Sequence, residues 1–200
     1  FTGGEGSGDA QVLPGVWSWS LRPTWRKGPG LALHVQADCC LDQPLHLRLA
    51  LNPSEAAQWQ LNNVQLQLPL QVLQGLGTPW NTLQLQGGLR LRTQQLSGDS
   101  RGNTQGRLTL SADNVASSLS TVQPLGDYEA TLDWPADQLP RVQLRTLSGH
   151  LQLQGDGQIA QGRVRFRGQA SASSDSEGAL NNLLNIIGRR AGRVSILTIG

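Results

Sequence analysis

The feature that most constrains this chain is the alternation of apolar and polar residues along most of its length. Leucines or other apolar residues recur at every second position, for example over 31–37, 45–51 and 64–70. A period of two places every second side chain on the same face of a β-strand. Strands with one apolar and one polar face are typical of antiparallel sheets, because parallel sheets are covered on both faces. The pattern therefore predicts a mainly β protein.

The predicted architecture is one long antiparallel sheet, twisted and curved into a half-barrel or groove-like shape. A sheet whose one face is rich in leucine must bury that face by curling, by stacking or by contact with a partner. A two-sheet β-sandwich is the alternative. The glycine-rich residues 1–11 are predicted to form a flexible leader, and residues 12–200 a single β-rich domain.

Turn residues divide the chain into these strands. Glycines at 87–88 and 155–157 predict turns, and Pro69 predicts a strand end because proline cannot donate to a ladder. The sequence GDGQIA at 155–160 also fits a loose dinucleotide-binding fingerprint. That fingerprint requires a following helix, whereas strand-like residues follow here, so a hairpin turn is favoured.

Helices are predicted at a few places only. Residues 53–60 give a weak helix signal and residues 71–76 a single helical turn. A stronger signal comes from four apolar residues on one helix face, which are Leu180, Leu183, Leu184 and Ile187. Ser174 and Glu177 are predicted to form a capping box at the start of this helix, and Gly188, Arg189 and Arg190 to mark its end. Residues 194–199 are predicted to form a closing strand.

Composition argues against nucleic-acid binding and against catalysis. The formal net charge is only +2, so no strong field attracts an anionic polymer. The three histidines, His34, His46 and His150, lie in alternating runs and are predicted to face solvent. An active site needs convergent nucleophile, base and orienting groups, and the sequence contains no motif that supplies them. We therefore expect a protein that is not an enzyme, with no cofactor or metal.

Two features are candidates for partner contact. Arg163, Arg165 and Arg167 alternate along one strand. Such a stripe most often forms a solvated face, and binding of an anion or a partner is the alternative. Trp80 follows Pro79 and is the other candidate, although core packing is the more frequent role of tryptophan.

Cys39 and Cys40 are adjacent in the sequence. On a strand their side chains would point to opposite faces, so a bond between them requires a local turn. Two reduced thiols, a vicinal disulfide and an intermolecular disulfide all remain open. A metal site would require further ligands nearby, which the sequence lacks.

Several motifs resemble the protein N family of the type II secretion system. They are GTPWNTL at 77–83, LSTVQPLGDY at 119–128, TLSGHL at 146–151, RFRGQA at 165–170 and LNNLLNIIGRR at 180–190. The signature positions, which we expect to be mainly structural, are Pro79, Trp80, Pro124, Leu125, Gly126, Tyr128, Leu180, Leu183, Leu184, Ile187, Gly188, Arg189 and Arg190. A looser likeness is to AsmA-type proteins.

The resemblance implies a non-enzymatic periplasmic subunit that helps to assemble a machine exporting folded proteins across the outer membrane. It implies an N-terminal helix in the inner membrane, and contacts with the secretin and the inner-membrane platform. The sequence contains no methionine, so we expect a piece of a longer protein whose anchor lies upstream. The AsmA-like pattern implies the alternative function, a leucine-lined groove that binds lipid or another hydrophobe.

Overall fold

The computed structural model describes residues 15–25, 28–51, 56–76 and 80–200, and strands dominate them. The mainly β class predicted from the alternation is confirmed. The strands are β1 (Trp17–Thr24), β2 (Gly30–Ala37), β3 (Leu45–Ala50), β4 (Gln58–Pro69), β5 (Leu85–Asp99), β6 (Thr104–Ser117), β7 (Gly126–Trp134), β8 (Arg141–Gly149), β9 (Leu151–Ala160), β10 (Arg163–Ala172), β11 (Arg189–Ala191) and β12 (Val194–Ile199). The helices are a 3-10 helix (Leu70–Leu76), α1 (Trp80–Leu83) and α2 (Glu177–Ile187).

All twelve strands form one antiparallel sheet, in which nearly every strand pairs with the next one along the chain. The exception is β12, which lies between β10 and β11. The two edges of the sheet are therefore β1 and β11, and the sheet does not close into a barrel. The predicted antiparallel meander is confirmed, and the described strands do not divide into the two sheets of a sandwich.

The register of the strands keeps apolar residues together on one face. A row of directly paired leucines crosses the first five strands, and its members are Leu21, Leu33, Leu47, Leu61 and Leu96. Glutamine, arginine and acidic residues alternate with these leucines and therefore share the opposite face. We call the two faces the apolar face and the polar face.

The main core lies where the 3-10 helix, α1, the segment 118–125 and α2 cover one end of the apolar face. Its buried members are Leu70, Leu83, Leu85, Val115, Leu125, Tyr128, Leu151, Ala170, Leu180, Leu183 and Leu184. The predicted helix face supplies the last three, each at most 2% exposed. An amphipathic helix thus buries its apolar stripe against the apolar face of the sheet.

Buried hydroxyl groups tie these covering segments to the sheet. Ser117 Oγ on β6 donates to the carbonyl oxygen of Leu83 at 2.6 Å, and Ser195 Oγ on β12 donates to that of Leu184 at 2.6 Å. Both carbonyls belong to the last turn of a helix, where no backbone partner is available. Tyr128 Oη donates to the carbonyl oxygen of Leu151 at 3.0 Å. Burial raises the pKa of the Tyr128 phenol, which keeps it protonated as a donor.

The predicted end of α2 at Gly188 is confirmed, whereas the predicted capping box at its start is wrong. The N-cap is Ser176, not Ser174, and its side chain makes no capping hydrogen bond. Gly188 ends the helix in an extended conformation, with φ −167°, instead of a left-handed cap. Arg189 and Arg190 begin β11 and do not belong to the last helical turn. The chain therefore leaves the helix directly into an edge strand.

Two predicted turns are wrong because glycines lie inside strands. Gly155 and Gly157 belong to β9, and the hairpin turn is at 161–162. Gln161 and Gly162 have φ 53° and 72°, as the turn of a two-residue hairpin requires. A Cβ atom at Gly155 would lie 2.5 Å from Phe166 Cζ, so the aromatic ring requires a glycine beneath it.

Gly87 and Gly88 also lie inside a strand, at a β-bulge of β5 against β6. The helix predicted at 53–60 is wrong over 58–60, which begin β4, and residues 52–55 lie outside the described residues. The helical turn at 71–76, the strand end at Pro69 and the closing strand are confirmed. The predicted leader at 1–11 lies outside the described residues.

Candidate functional site

The structure brings five of the signature positions together in the main core, namely Leu125, Tyr128, Leu180, Leu183 and Leu184. The backbone N–H of Leu125 donates to the carbonyl oxygen of Val115 at 2.6 Å. The carbonyl oxygen of Leu125 accepts from the N–H groups of His150 and Leu151, at 2.8 and 2.9 Å. These bonds join the segment before β7 to the turn between β8 and β9. The side chains of Leu125, Tyr128 and the α2 leucines then pack in one cluster.

Gly126 is held at a close approach between two strands. It pairs with Gly149, and the two residues have φ 156° and 122°. A Cβ atom at Gly149 would lie 2.2 Å from Gly126 Cα. The neighbouring Gln123–Pro124 peptide bond is cis. These signature positions therefore fit a requirement of backbone packing.

The remaining signature positions lie at the margin of this cluster or outside it. Arg190 donates to Asn181 Oδ1 at 2.9 Å, which links β11 to α2, while Arg189 is exposed. Ile187 is half-buried against the main core. Pro79 lies outside the described residues, and only the backbone of Trp80, the first residue of α1, is described.

Cys39 and Cys40 lie in the turn between β2 and β3, with their Sγ atoms at the bonding distance of 2.14 Å. Cys39 is exposed and Cys40 is buried. The turn is fixed by bonds from the N–H groups of Cys40 and Leu41 to the carbonyl oxygen of Ala37. The carbonyl oxygen of Cys40 accepts from the N–H of Gln67 on β4 at 2.7 Å. The local turn that a vicinal bond requires is therefore present.

A histidine, two serines and an aspartate meet at the start of α2. His150 Nδ1 lies 2.8 Å from Ser176 Oγ, 3.3 Å from Ser173 Oγ and 3.8 Å from an Asp175 carboxylate oxygen. A hydrogen bond from Ser173 lowers the pKa of the Asp175 carboxyl. A catalytic triad needs the serine and the carboxylate on opposite nitrogens of the ring. Here all three contacts are to Nδ1, so the arrangement suits anchoring of the helix start.

His34 and His46 are direct register partners on the polar face. Their rings meet edge to face, with centroids 4.5 Å apart. They line a groove of about 680 Å³ together with Arg48 and Gln60. Within the described part of the chain, no three His, Cys, Asp or Glu side chains are placed to hold a metal ion.

A larger groove of about 1060 Å³ lies on the polar face between β6 and β12. We call it the arginine groove. Its charged lining residues are Arg107, Glu129, Asp133, Arg141, Arg145, Asp156 and Arg167. Both described grooves thus draw most of their lining from the polar face, which differs from the expected leucine lining. The apolar face instead carries the helices.

Two ion pairs neutralise part of the arginine groove. Arg107 Nε lies 3.3 Å from Asp133 Oδ1, and Arg145 lies 2.6 Å from Glu129 Oε1. Both pairs join neighbouring strands, β6 to β7 and β7 to β8, and all four side chains are at least partly exposed. Exposed pairs of this kind contribute at most about 1 kcal/mol each. Among the lining arginines, Arg141 on β8 and Arg167 on β10 have no ion pair with a described residue and are available to a ligand.

The strand register adds residues that the sequence pattern did not single out. Arg141 and Arg165 are both register partners of Gln158 on β9, from opposite sides. One row below, Asp156 pairs with Gln143 and Arg167. The predicted stripe on β10 is therefore extended across two strands by Arg141. Only the register could reveal this, because residues 141 and 165 are far apart in the chain.

The two edges of the sheet differ in length and chemistry. β1 has eight residues, and its Trp19 and Leu21 side chains are 53% and 50% exposed. β11 has three residues, Arg189–Ala191, and its Arg190 is bound to α2. An edge strand presents backbone donors and acceptors on its outer side, and short or charged edges are protected against pairing. We call β1 the N-terminal edge.

The comparisons with known proteins agree with these observations. Among the described residues, no helix has the length and apolar character needed to cross a membrane. No curated protein and no solved structure matches the chain. A family model described as type II secretion system (T2SS), protein N, matches residues 6–196, which is nearly the whole chain. The chain therefore belongs to the protein N family of the type II secretion system.

Proposed function

We propose that this protein is a non-enzymatic structural subunit of a type II secretion machine, and that it docks onto neighbouring components through its N-terminal edge. It lies in the periplasm, tethered to the inner membrane by a helix upstream of residue 1. The secretin and the inner-membrane platform are its partners, and it contributes to assembly of the machine. Family membership supports the secretion role, and the resemblance in sequence supports the location and the partners.

The observation that carries the docking proposal is the long apolar edge strand. β1 pairs with β2 along its whole length, from Trp17↔Ala37 to Thr24↔Gly30. Among the described residues β1 is the last strand in the order, so no described strand pairs with the outer side of its segment 18–21. A strand from a partner gains backbone hydrogen bonds there, and the exposed apolar side chains give it packing contacts.

Arg22 and Pro23 restrict where such a strand can pair. Charged residues and proline are common protections on edge strands, and proline has no N–H to donate. Both lie near the end of β1 that leads into the turn before β2. The segment 18–21 is therefore the part best suited to strand addition. Trp19 and Leu21 alternate along it and face the same side as the leucine row.

The alternative function, binding of lipid or another hydrophobe, is less well supported. An acyl chain requires an apolar groove that stays open. The arginine groove has charged and amide side chains along its walls, and helices cover the apolar face at the main core. The polar lining favours the docking proposal over carriage of an apolar ligand.

Site-specific crosslinking tests the docking proposal. A photo-crosslinking amino acid placed at Ser18 or at Leu21 is introduced into the full-length protein in bacteria that make the whole secretion machine. We expect crosslinks to the secretin or to an inner-membrane platform protein. Leu21→Lys in the same protein is expected to reduce the crosslink from Ser18, because a charge on the edge opposes pairing.

The matched control is the same crosslinker at Asn182, an exposed residue of α2 away from both β1 and the arginine groove. That position is expected to give no secretion component. Equal capture of the same component from Asn182 and Ser18 would contradict docking through the edge. Capture of only unrelated abundant proteins from Ser18 would contradict it as well.

A further inference from the structure

We propose that the arginine groove binds an extended acidic segment of a partner protein. The groove lies on the polar face between β6 and β12, away from the N-terminal edge. Peptide binding in the arginine groove therefore does not depend on strand addition at β1, and either proposal can fail while the other holds.

The first step is the excess of positive charge along β8–β10. Four exposed arginines lie on the polar face there. Arg141 and Arg167 line the groove, and Arg163 and Arg165 continue the row along β10 beside it. Asp156 is the acidic residue among them, and it is the register partner of Arg167. Within the described ranges no carboxylate lies within 4 Å of any of these four guanidinium groups, whereas Arg107 and Arg145 are paired. The cations without an ion pair are the ones that can recognise a ligand.

The second step is the spacing of these cations. Alternate residues of a strand are about 6.6 Å apart, so Arg163, Arg165 and Arg167 repeat at that distance along β10. An extended peptide with an acidic residue at every second position repeats at the same distance. Arg141 lies two strands away from Arg165, at about 9.6 Å, and can reach the other side of the same peptide. Arginine also binds carboxylates through two parallel hydrogen bonds.

The third step is the amide lining between the arginines. Gln143, Gln154 and Gln169 line the groove, and Gln158 lies on the polar face beside it. Each amide both donates and accepts hydrogen bonds, as the backbone of an extended peptide does. A planar membrane surface has no such backbone to bind, and it cannot enter a concave groove. Charge complementarity and the amide lining together favour an acidic peptide over anionic lipid.

Fluorescence anisotropy tests this inference with a defined probe, a fluorescein-labelled peptide of about eight residues in which glutamate alternates with serine. We expect saturable binding to the wild-type protein that weakens as salt rises, because exposed charges are screened. Arg165→Gln with Arg167→Gln is expected to raise Kd about tenfold, since each exposed ionic contact contributes a factor of about three.

The matched control is Arg48→Gln with Arg101→Gln, which removes the same charge on β3 and in the turn between β5 and β6, away from the arginine groove. Its Kd is expected to stay within about twofold of the wild-type value. An equal loss in both double variants would overturn the proposal in favour of non-specific charge attraction. Equal binding of a peptide with lysine in place of glutamate would also overturn it.

Vesicles that contain phosphatidylglycerol distinguish a membrane contact from a protein contact. The proposal expects the acidic peptide to bind wild-type protein and the vesicles to leave its Kd unchanged. Vesicle binding that is lost in Arg165→Gln with Arg167→Gln, without saturable peptide binding, would overturn the proposal and assign the groove to a lipid surface.

Discussion

Two regions of the sheet carry the same alternating pattern but differ in how deeply their apolar side chains are buried. In β1–β3 the paired leucines are half-buried or exposed, and Leu21 is 50% exposed. In the main core, by contrast, Leu151 on β9 and Ala170 on β10 are 4% and 0% exposed. The helical segments that cover the main core account for the difference, since nothing described covers the apolar face of β1–β3. Alternation thus identifies the face that is apolar, and the covering segments decide how much that face stabilises the fold.

The comparison also separates stability from function. Apolar burial contributes about 25 cal/mol per Å², so the buried side chains of the main core are expected to stabilise the fold more than the exposed ones of β1. The N-terminal end retains exposed apolar surface and an open edge, which are the properties expected of a contact surface. Variants at matched positions in the two regions can test this division.

The largest expected effect is at Leu184. Leu184→Ala leaves a cavity in the main core and is expected to lower the free energy of unfolding by about 3 kcal/mol. Leu21→Ala, on the N-terminal edge, is expected to lower it by less than about 1 kcal/mol. Urea unfolding followed by circular dichroism measures both values. Equal losses would show that the two regions do not differ in burial in solution.

A second effect concerns the close backbone approach at Gly149. Gly149→Ala places a methyl group against Gly126 Cα and is expected to cost about 2 kcal/mol. Gly162→Ala is the control, because Gly162 also has a positive φ but no atom lies within 4 Å of an added Cβ. Its expected cost is about 1 kcal/mol, from backbone conformation alone. The same denaturation assay compares them, and a larger loss at Gly162 would contradict the packing argument.

Ser195 offers a test of the bond between β12 and α2. Ser195→Ala removes the hydroxyl that satisfies the Leu184 carbonyl and is expected to cost about 1.5 kcal/mol. Ser18→Ala removes a long, exposed bond to Gln36 on the N-terminal edge, and its expected cost is below about 0.5 kcal/mol. Thermal unfolding measures both. If Ser195→Ala is as mild as Ser18→Ala, the buried bond does not secure the helix.

The smallest effect is pH-dependent and concerns Asp127. Its carboxylate accepts from the Asn114 N–H and from Ser148 Oγ, both at 2.7 Å, and these bonds lower its pKa. A lowered folded-state pKa gives stability that is present above the unfolded value of about 3.9 and is lost as the pH falls through the folded value. Asp127→Asn is expected to cost about 1 kcal/mol at neutral pH and less at about pH 3, where the carboxylate begins to be protonated.

Urea unfolding of both proteins at the two pH values checks this prediction. Asp38→Asn is the control near the N-terminal edge, where the carboxylate accepts one 3.4 Å bond from Gln36. Its expected change is below about 0.5 kcal/mol. A difference between wild type and Asp127→Asn that is the same at both pH values would contradict the role of the ionised carboxylate.

The strands and α2 could be predicted because local periodicity alone specifies them. The turn between β9 and β10 could not, because Gly155 and Gly157 resemble turn residues until the position of Phe166 is known. The aromatic ring needs glycines on the neighbouring strand, and that requirement depends on register. The N-cap of α2 is Ser176 instead of the predicted Ser174. The sequence alone does not distinguish the two serines, because both precede the apolar face of the helix.

The candidate sites were predictable only in part. Arg163, Arg165 and Arg167 are visible as a stripe, but Arg141 and Gln158 join them only through pairing of distant segments. The sequence shows that the sheet has a polar face. It does not show that this face lines the two grooves, because the direction in which the sheet curves cannot be read from the alternation. The meeting of His34 with His46 likewise requires the register of β2 against β3.

The chain-order pairing of the strands has a consequence for how such proteins can vary in size. Because each of the first nine strands pairs only with its chain neighbours in the sheet, a hairpin added before β1 would widen the sheet without a change in the order of the other strands. Loss of β1 and β2 would likewise leave the main core intact, since none of its members lies in them. The opposite edge, at β11, does not allow such a change, because α2 follows β10 in the chain and β12 lies between β10 and β11 in the sheet. We therefore expect strands to be gained or lost at the N-terminal edge.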